Sequence, residues 1–155
     1  MKKILLILTL VMSMISTCYA YDLTSPKWHK VMDEPSFGKF YINIETLEFP
    51  DNRTMFGCSK KHRYISAWIY NEIPNQKICE YVLSFEHFDL DCRKKKTEIA
   101  YGYNKNDEMV CSENLMKAPP QRIIPGSRAE IQLSAFDGIW QLFKEIVDER
   151  KKQVS

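Results

Sequence analysis

The 155-residue chain lacks a long hydrophobic run beyond its first twenty residues. Because a transmembrane helix needs about 20 consecutive apolar residues, we expect that the mature chain does not span a membrane. The first twenty residues have another form: Lys2 and Lys3 precede the apolar stretch 4–15, and small and polar residues lead to Ala20. This order is typical of a secretory signal peptide. It predicts export and a single mature domain over residues 21–155.

A lipid anchor at Cys18 is the alternative fate for this N-terminus. Lipoprotein signals carry Gly or Ala before the lipidated Cys, whereas Thr17 stands there in this chain. We therefore favour cleavage after Ala20. The expected location is the periplasm or the cell surface.

The mature chain also lacks an excess of either charge. Removing residues 1–20 takes two lysines and no acids from 22 basic and 20 acidic residues, which leaves 20 of each. A protein that binds phosphate backbones usually has a clear basic excess. We therefore do not expect a nucleic acid as a partner.

Cysteines are few, and none is spaced as Cys-x-x-Cys. One of the five lies in the predicted signal, and the other four are Cys58, Cys79, Cys92 and Cys111. An even number in an exported domain favours two disulfides, and four cysteines allow three pairings. Structural zinc sites commonly use a short Cys-x-x-Cys spacing, so we expect neither a metal nor another cofactor.

Catalytic motifs are lacking as well: the chain has no G-x-S-x-G, P-loop or H-E-x-x-H pattern. Its three histidines have no partner at catalytic or metal-binding spacing. His87 is the one to consider, because acidic residues stand at 86, 89 and 91. The prediction is that the protein is not an enzyme, with an acid–base site near His87 as the alternative.

What the mature chain does have is repeated β-strand patterning. Residues 62–73 alternate with apolar or aromatic side chains on both parities, which predicts a central strand that is covered on both faces. Other β-rich segments, separated by Pro, Gly and Asn turns, predict the remaining strands. They cover residues 28–32, 40–44, 78–92, 97–103 and 109–111.

The segment after the Pro74 turn changes phase. Apolar residues occupy one parity up to Phe85 and the other parity from Phe88 onward. A strand cannot exchange its faces without an extra residue. We therefore predict a β-bulge near Glu86-His87, or two separate short strands.

A basic run at Arg93, Lys94, Lys95 and Lys96 follows this segment. It is a candidate binding patch for an anionic surface or a protein partner. The alternative is a solvated edge, since lysine commonly guards exposed strand edges.

A helix is predicted to begin at Ser127, where Ser127 and Glu130 have the spacing of a capping box. Residues at 133, 136, 140, 143 and 147 then form one apolar stripe. Asp137-Gly138 is a candidate break in it. The predicted fold class is therefore α+β: an antiparallel sheet of five or six strands packed with one C-terminal amphipathic helix and stapled by disulfides.

With its segments placed, the chain resembles the bacterial surface-adhesin protein E-like family over roughly residues 26–140. The resemblance lies in the order and spacing of several residues rather than in one motif. These are Trp28, Phe40-Tyr41-Ile42, Trp68, Asp91-Cys92, Tyr103, Pro125-Gly126-Ser127 and Glu130.

The resemblance implies a small exported or lipid-anchored domain with an antiparallel sheet and a helix. It implies an adhesin-like binding module for host extracellular-matrix proteins, or for an envelope partner, with a homodimer left open. The site it implies is an apolar and aromatic patch with a basic rim near residues 93–96.

The resemblance also bears on the disulfides. Family members often pair the Cys after the Asp with a late Cys in the final helix, and this chain has none over residues 134–140. Cys92 is then left with Cys58, Cys79 or Cys111, or without a disulfide. If the strands that flank Pro74 form one long hairpin in uniform register, Cys58 lies roughly opposite Cys92, and Cys79 is left for Cys111.

Overall fold

The fold is known from a computed structural model, which describes residues 23–74 and 79–154, with side chains described as far as residue 146. The predicted signal peptide, its cleavage site and Cys18 lie outside the described residues. So does most of the turn that is predicted after Pro74. Within the part that is described, no helix is long and apolar enough to cross a membrane.

Seven strands form one antiparallel sheet, in the order β1 to β6, with the short β7 pairing with β5 beside β6. A four-residue helix, α1, precedes β3, and one long helix, α2, ends the described chain. The α+β architecture is confirmed, and the strand beyond the predicted six is the two-residue β7. The elements are β1 (Trp28–Glu34), β2 (Gly38–Asn43), α1 (Arg53–Phe56), β3 (Tyr64–Glu72), β4 (Tyr81–Asp89), β5 (Lys94–Tyr103), β6 (Met109–Asn114), β7 (Gln121–Arg122) and α2 (Arg128–Val154).

Helix α2 covers one face of the sheet, because its apolar stripe needs a buried surface. Phe136 has no exposed surface and packs on Phe88 with ring centroids 4.6 Å apart. Further along, Trp140 and Phe143 contact Phe49, which precedes α1. The main core therefore lies between α2 and the sheet.

The predicted helix start is confirmed, but the cap differs in detail. The Glu130 carboxylate accepts from the amide of Gly126 at 2.6 Å, while the Ser127 hydroxyl donates to the Ile124 carbonyl instead of capping the helix. The helix runs unbroken through Asp137-Gly138. Glycine costs only about 1 kcal/mol in a helix, and the packing of α2 on the sheet compensates for it.

The predicted bulge exists, but it lies on the neighbouring strand. β4 pairs with β3 in unbroken register from Tyr81 to Asp89. Against β5 the register shifts between Phe85 and Glu86, where Glu98 is the extra residue. Side chains therefore alternate between the two faces along the whole of β4. The apolar residues change parity because they lie on one face in the first half of the strand and on the other face in the second half.

Candidate functional site

Four side chains that bind metals or form disulfides meet where β3 and β4 lie beside the segment after α1: Cys58, His62, Asp89 and Cys92. One ligand atom from each lies within 4.8 Å of all the others. The Cys58 thiol donates to Asp89 Oδ2 at 3.4 Å, and His62 Nδ1 lies 2.9 Å from the same oxygen. Cys92 Sγ is 3.5 Å from His62 Nδ1. We call these four residues the thiol cluster.

Asp89 organises the thiol cluster from the buried end of β4, where it has no exposed surface. Its other oxygen, Oδ1, accepts from the amides of Asp91 at 3.1 Å and Cys92 at 2.9 Å. Burial alone would raise the pKa of Asp89, but hydrogen bonds from Cys92, His62 and Cys58 outweigh it and hold the pKa below its ordinary value. The carboxylate therefore stays charged and fixes the turn that presents Cys92.

Two chemistries are open to the thiol cluster. Its donor set suits a thiophilic divalent ion, since tetrahedral zinc places sulfur and nitrogen ligands about 3.3–3.8 Å apart. Oxidation would instead join Cys58 to Cys92. Among the four described cysteines no two sulfurs lie at bonding distance, so the predicted disulfides stay predictions.

A catalytic role for Cys92 is not favoured by this geometry. Burial, the charge of Asp89 and the neighbouring Cys58 raise the pKa of its thiol, whereas a nucleophilic cysteine needs a lowered pKa. Moreover, Cys92 and Asp89 both approach Nδ1 of His62. A base oriented for catalysis would use its two nitrogens for the two partners.

The second cysteine pair meets across β5. Cys111 on β6 pairs in register with Gly102, and an added Cβ at Gly102 would lie 2.5 Å from Cys111 Sγ and 3.5 Å from Cys79 Sγ. Burial and Cys111 raise the pKa of Cys79. The two sulfurs therefore approach each other over the one residue of β5 that has no side chain. The sulfur of Cys58 is thus a neighbour of Cys92, and that of Cys79 a neighbour of Cys111. This proximity agrees with the pairing of Cys58 with Cys92 and of Cys79 with Cys111.

His87 lies in a buried polar network. Its Nδ1 is 2.8 Å from the Ser66 hydroxyl and its Nε2 is 2.9 Å from Glu98 Oε2, which is the order of a serine–histidine–acid triad with the two ring nitrogens exchanged. Ser66, however, has no exposed surface, so its hydroxyl cannot reach a substrate. The acidic neighbours suggested by the sequence lie elsewhere: Asp89 is in the thiol cluster, and Glu86 points to the helix-covered side of the sheet, where it binds Lys95.

The basic run is divided between the two faces of β5. Lys94 and Lys96 pair in register with Asp89 and His87 on the face away from α2. Lys95 lies on the helix-covered face, 3.0 Å from Glu86, and Arg93 forms an ion pair with Glu130. The four residues do not share one surface, because side chains alternate along a strand.

The sheet face away from α2 carries a continuous set of aromatic rings, which we call the aromatic face. Tyr70, Tyr81 and Tyr103 stack in a row with centroids 4.8 and 5.0 Å apart, and Trp68 stacks on Tyr101 at 6.1 Å. Tyr70 and Tyr81 are buried, whereas the other rings of this face are half-buried, namely Tyr41, Trp68, Phe85, Tyr101 and Tyr103. A cavity of about 300 Å³ opens there, lined by Trp28, Asn43, Trp68, Leu83 and Tyr101.

Comparison with known proteins gives no match: no family model, no curated protein and no solved structure matches this chain. The geometry above therefore carries the functional argument. Sequence reasoning had not singled out Ser66 or Glu98, and it had found no partner for His62 at catalytic or metal-binding spacing. Register brings Ser66 and Glu98 to His87, while His62 meets Asp89 because β3 and β4 run side by side.

Proposed function

We propose that this protein is an exported bacterial binding module of the periplasm or cell surface, adhesin-like towards host extracellular-matrix proteins and without enzymatic activity. The resemblance to the surface-adhesin protein E-like family motivates the choice of partner. One observation carries the proposal: the aromatic face is left uncovered by the only long helix that the structure describes. Aromatic residues dominate the energetics of protein interfaces.

The surroundings of the aromatic face support a protein partner. Lys94 and Lys96 lie on the same side of the sheet as the stacked rings, towards the β4–β5 turn. An aromatic centre with a charged rim is the usual anatomy of a protein interface. Charged rim residues mainly change the rate of association and its dependence on salt.

The proposal includes two disulfides, Cys58–Cys92 and Cys79–Cys111. Exported bacterial proteins meet an oxidising environment, in which neighbouring thiols form disulfides. The proximity of the sulfurs within each pair supports this connectivity. A zinc ion held by the thiol cluster is the competing state, favoured in a reducing compartment.

An enzyme that uses His87 is the second candidate, because Ser66, His87 and Glu98 are connected in the order of a triad. The burial of Ser66 argues against it. A His87→Gln variant would separate the two ideas. Unchanged matrix binding together with a lower melting temperature supports a structural network, and loss of a measurable hydrolase activity in the envelope would support the enzyme.

Solid-phase binding of the protein, recovered from the bacterial envelope, to purified laminin and fibronectin tests the proposal. We expect a Tyr101→Ser variant to bind at least about tenfold more weakly, because truncation of an interface hot spot costs about 2 kcal/mol or more and about 1.4 kcal/mol corresponds to a factor of ten in affinity. A Phe143→Ser variant, which alters a half-exposed ring of α2 on the other side of the sheet, is the matched control. A thermal melt of each variant excludes unfolding.

The rim is tested separately. A Lys94→Glu/Lys96→Glu variant should bind more slowly, and the difference should shrink as salt is raised. Lys95 is left unchanged because it neutralises the buried Glu86, and Lys144→Glu on exposed α2 is the charge-matched control. Equal binding by wild type, Tyr101→Ser and the double lysine variant would contradict the proposed surface.

A further inference from the structure

The thiol cluster is assembled from two short pairs of residues along the chain. Three residues separate Cys58 from His62, and two separate Asp89 from Cys92. Structural zinc sites are commonly built from two such pairs. Neither pair is a Cys-x-x-Cys, because each joins two different ligand types, so the pattern becomes recognisable only when the fold brings the pairs together.

The atoms of the thiol cluster that can bind a metal lie near tetrahedral separations. Cys58 Sγ is 3.4 Å and His62 Nδ1 is 2.9 Å from Asp89 Oδ2, and Cys92 Sγ is 3.5 Å from His62 Nδ1. Around a tetrahedral zinc ion, bonds of about 2.0–2.3 Å place the ligand atoms about 3.3–3.8 Å apart. All four atoms lie within 4.8 Å of one another, so shifts of about 1 Å or less bring them to those separations.

The carboxylate of Asp89 is oriented for such an ion. Its Oδ1 accepts from the backbone amides of Asp91 and Cys92, while Oδ2 faces the thiol of Cys58 and the imidazole of His62. The amide hydrogen bonds therefore hold the carboxylate without occupying Oδ2. Carboxylates that bind metals are ordinarily fixed by outer hydrogen bonds of this kind.

A buried hydroxyl lies beside the thiol cluster. Tyr64 is 1% exposed, and its hydroxyl has no hydrogen-bond partner in the part of the chain that the structure describes. Burial, and after it the neighbouring Cys58, raises the pKa of Tyr64 to about 12. Buried polar atoms in native proteins are nearly always paired. A metal-bound Cys58 is a thiolate, which would accept the hydrogen bond that the Tyr64 hydroxyl lacks.

An ion can reach the thiol cluster, and its surroundings balance the charge. Cys92 is exposed, and His62 lines a surface cavity of about 350 Å³. Two thiolates and one carboxylate carry three negative charges, of which a divalent ion neutralises two. Lys94, which pairs in register with Asp89, supplies a positive charge for the third.

We propose that the reduced protein binds one zinc ion in the thiol cluster, through Sγ of Cys58 and Cys92, Nδ1 of His62 and Oδ2 of Asp89. Because the chain supplies all four ligands, the ion is structural, and it joins the segment after α1 to the β4–β5 turn. The ion and the Cys58–Cys92 disulfide use the same two sulfurs, so each excludes the other. The site shares no residue with the aromatic face, and zinc binding does not require matrix binding.

Anaerobic titration of the purified, reduced and metal-free protein with Co²⁺, followed by Zn²⁺, tests the site. We expect one equivalent of Co²⁺ to give the intense visible absorption of a tetrahedral site with a thiolate charge-transfer band. Zn²⁺ should displace the Co²⁺, because it binds such sites more tightly, and should raise the melting temperature of the reduced protein. A weak octahedral spectrum, or no bound Co²⁺, overturns the proposal.

Oxidation provides a second test. Diamide takes two electrons from the thiolates of Cys58 and Cys92 and two protons from water as it is reduced to its hydrazine, and an S–S bond forms. The zinc ion should then be released and appear on a colorimetric zinc indicator. Zinc that stays bound after the Cys58–Cys92 disulfide has formed overturns the proposal.

Variants locate the ion. Cys92→Ser should weaken zinc binding by at least about a hundredfold, since even an outer-shell partner is worth about 10–100-fold, and Tyr64→Phe should weaken it by about tenfold. Cys111→Ser, the same change at an exposed cysteine outside the thiol cluster, should bind zinc as wild type does. Unchanged affinity in Cys92→Ser, or lost binding in Cys111→Ser, overturns the assignment. The melting temperature of each metal-free variant shows that it folds.

Discussion

A Cys58→Ser substitution should destabilise the protein strongly, because it removes the disulfide proposed between Cys58 and Cys92. That bond would close a loop of about 35 residues. By the chain-entropy relation, such a loop contributes about 4 kcal/mol to the free energy of unfolding. For a domain of this size the loss corresponds to a fall of about 15 °C in melting temperature.

A double-mutant cycle tests the pairing itself. If Cys58 and Cys92 form one bond, the Cys58→Ser/Cys92→Ser variant should lose about as much stability as either single variant, since the bond can be lost only once. Cys58→Ser combined with Cys79→Ser should lose about twice as much. The free energy of unfolding is measured in guanidinium chloride, and Ser112→Ala on exposed β6 serves as the control.

The competing metal state predicts a different response in the same assay. With disulfides, dithiothreitol should lower the midpoint of unfolding and EDTA should leave it unchanged. A stoichiometric zinc ion in the protein as isolated, with loss of stability in EDTA, would refute the proposed Cys58–Cys92 disulfide. A Cys58–Cys79 peptide in an unreduced digest would refute the pairing.

Three further predictions concern stability. The Asp89→Asn variant should lose about 1.5–3 kcal/mol of unfolding free energy at pH 7. Because folding lowers the pKa of Asp89, the stabilisation by its carboxylate is complete above about pH 4 and disappears as the pH falls through the folded pKa. The stabilities of wild type and variant should therefore converge in acid denaturation. Phe136→Ala should cost about 3–5 kcal/mol in chemical denaturation because Phe136 is fully buried, whereas Phe143→Ala, at a ring that is 43% exposed, should cost far less. A Gly102→Ala variant should not form the Cys79–Cys111 disulfide, because the added methyl group would occupy the space of the Cys111 sulfur, so the Cys111 thiol should react with an alkylating reagent. Complete protection of Cys111 from alkylation would contradict a disulfide that lies over Gly102.

Periodicity was enough to predict the sheet and the helix. The alternation over residues 62–73 identified the strand that lies between β2 and β4, and Ser127 marked the start of α2 correctly. The phase change in β4 was misread, because a strand pattern reports which side chains are apolar and not which face they occupy. Ser84 and Glu86 point towards α2, where they line a cavity, so the apolar pattern in this half of β4 comes from side chains on the opposite face.

The candidate sites could not be predicted from local sequence patterns, because their residues meet only in the folded chain. His62 and Asp89 are 27 residues apart in the chain, and no local pattern connects them. The division of the basic run, by contrast, follows from strand alternation once Lys94–Lys96 is placed within β5.

Photocrosslinking on intact bacteria measures whether the proposed exported domain contacts its partner through the aromatic face. The photoreactive residue p-benzoylphenylalanine is placed at position 101 or, as a control, at position 143, and the cells are irradiated on a laminin and fibronectin matrix. We expect a covalent adduct with a matrix protein from position 101 and none from position 143. Adducts from position 143 alone, or from neither position, would contradict contact through the aromatic face.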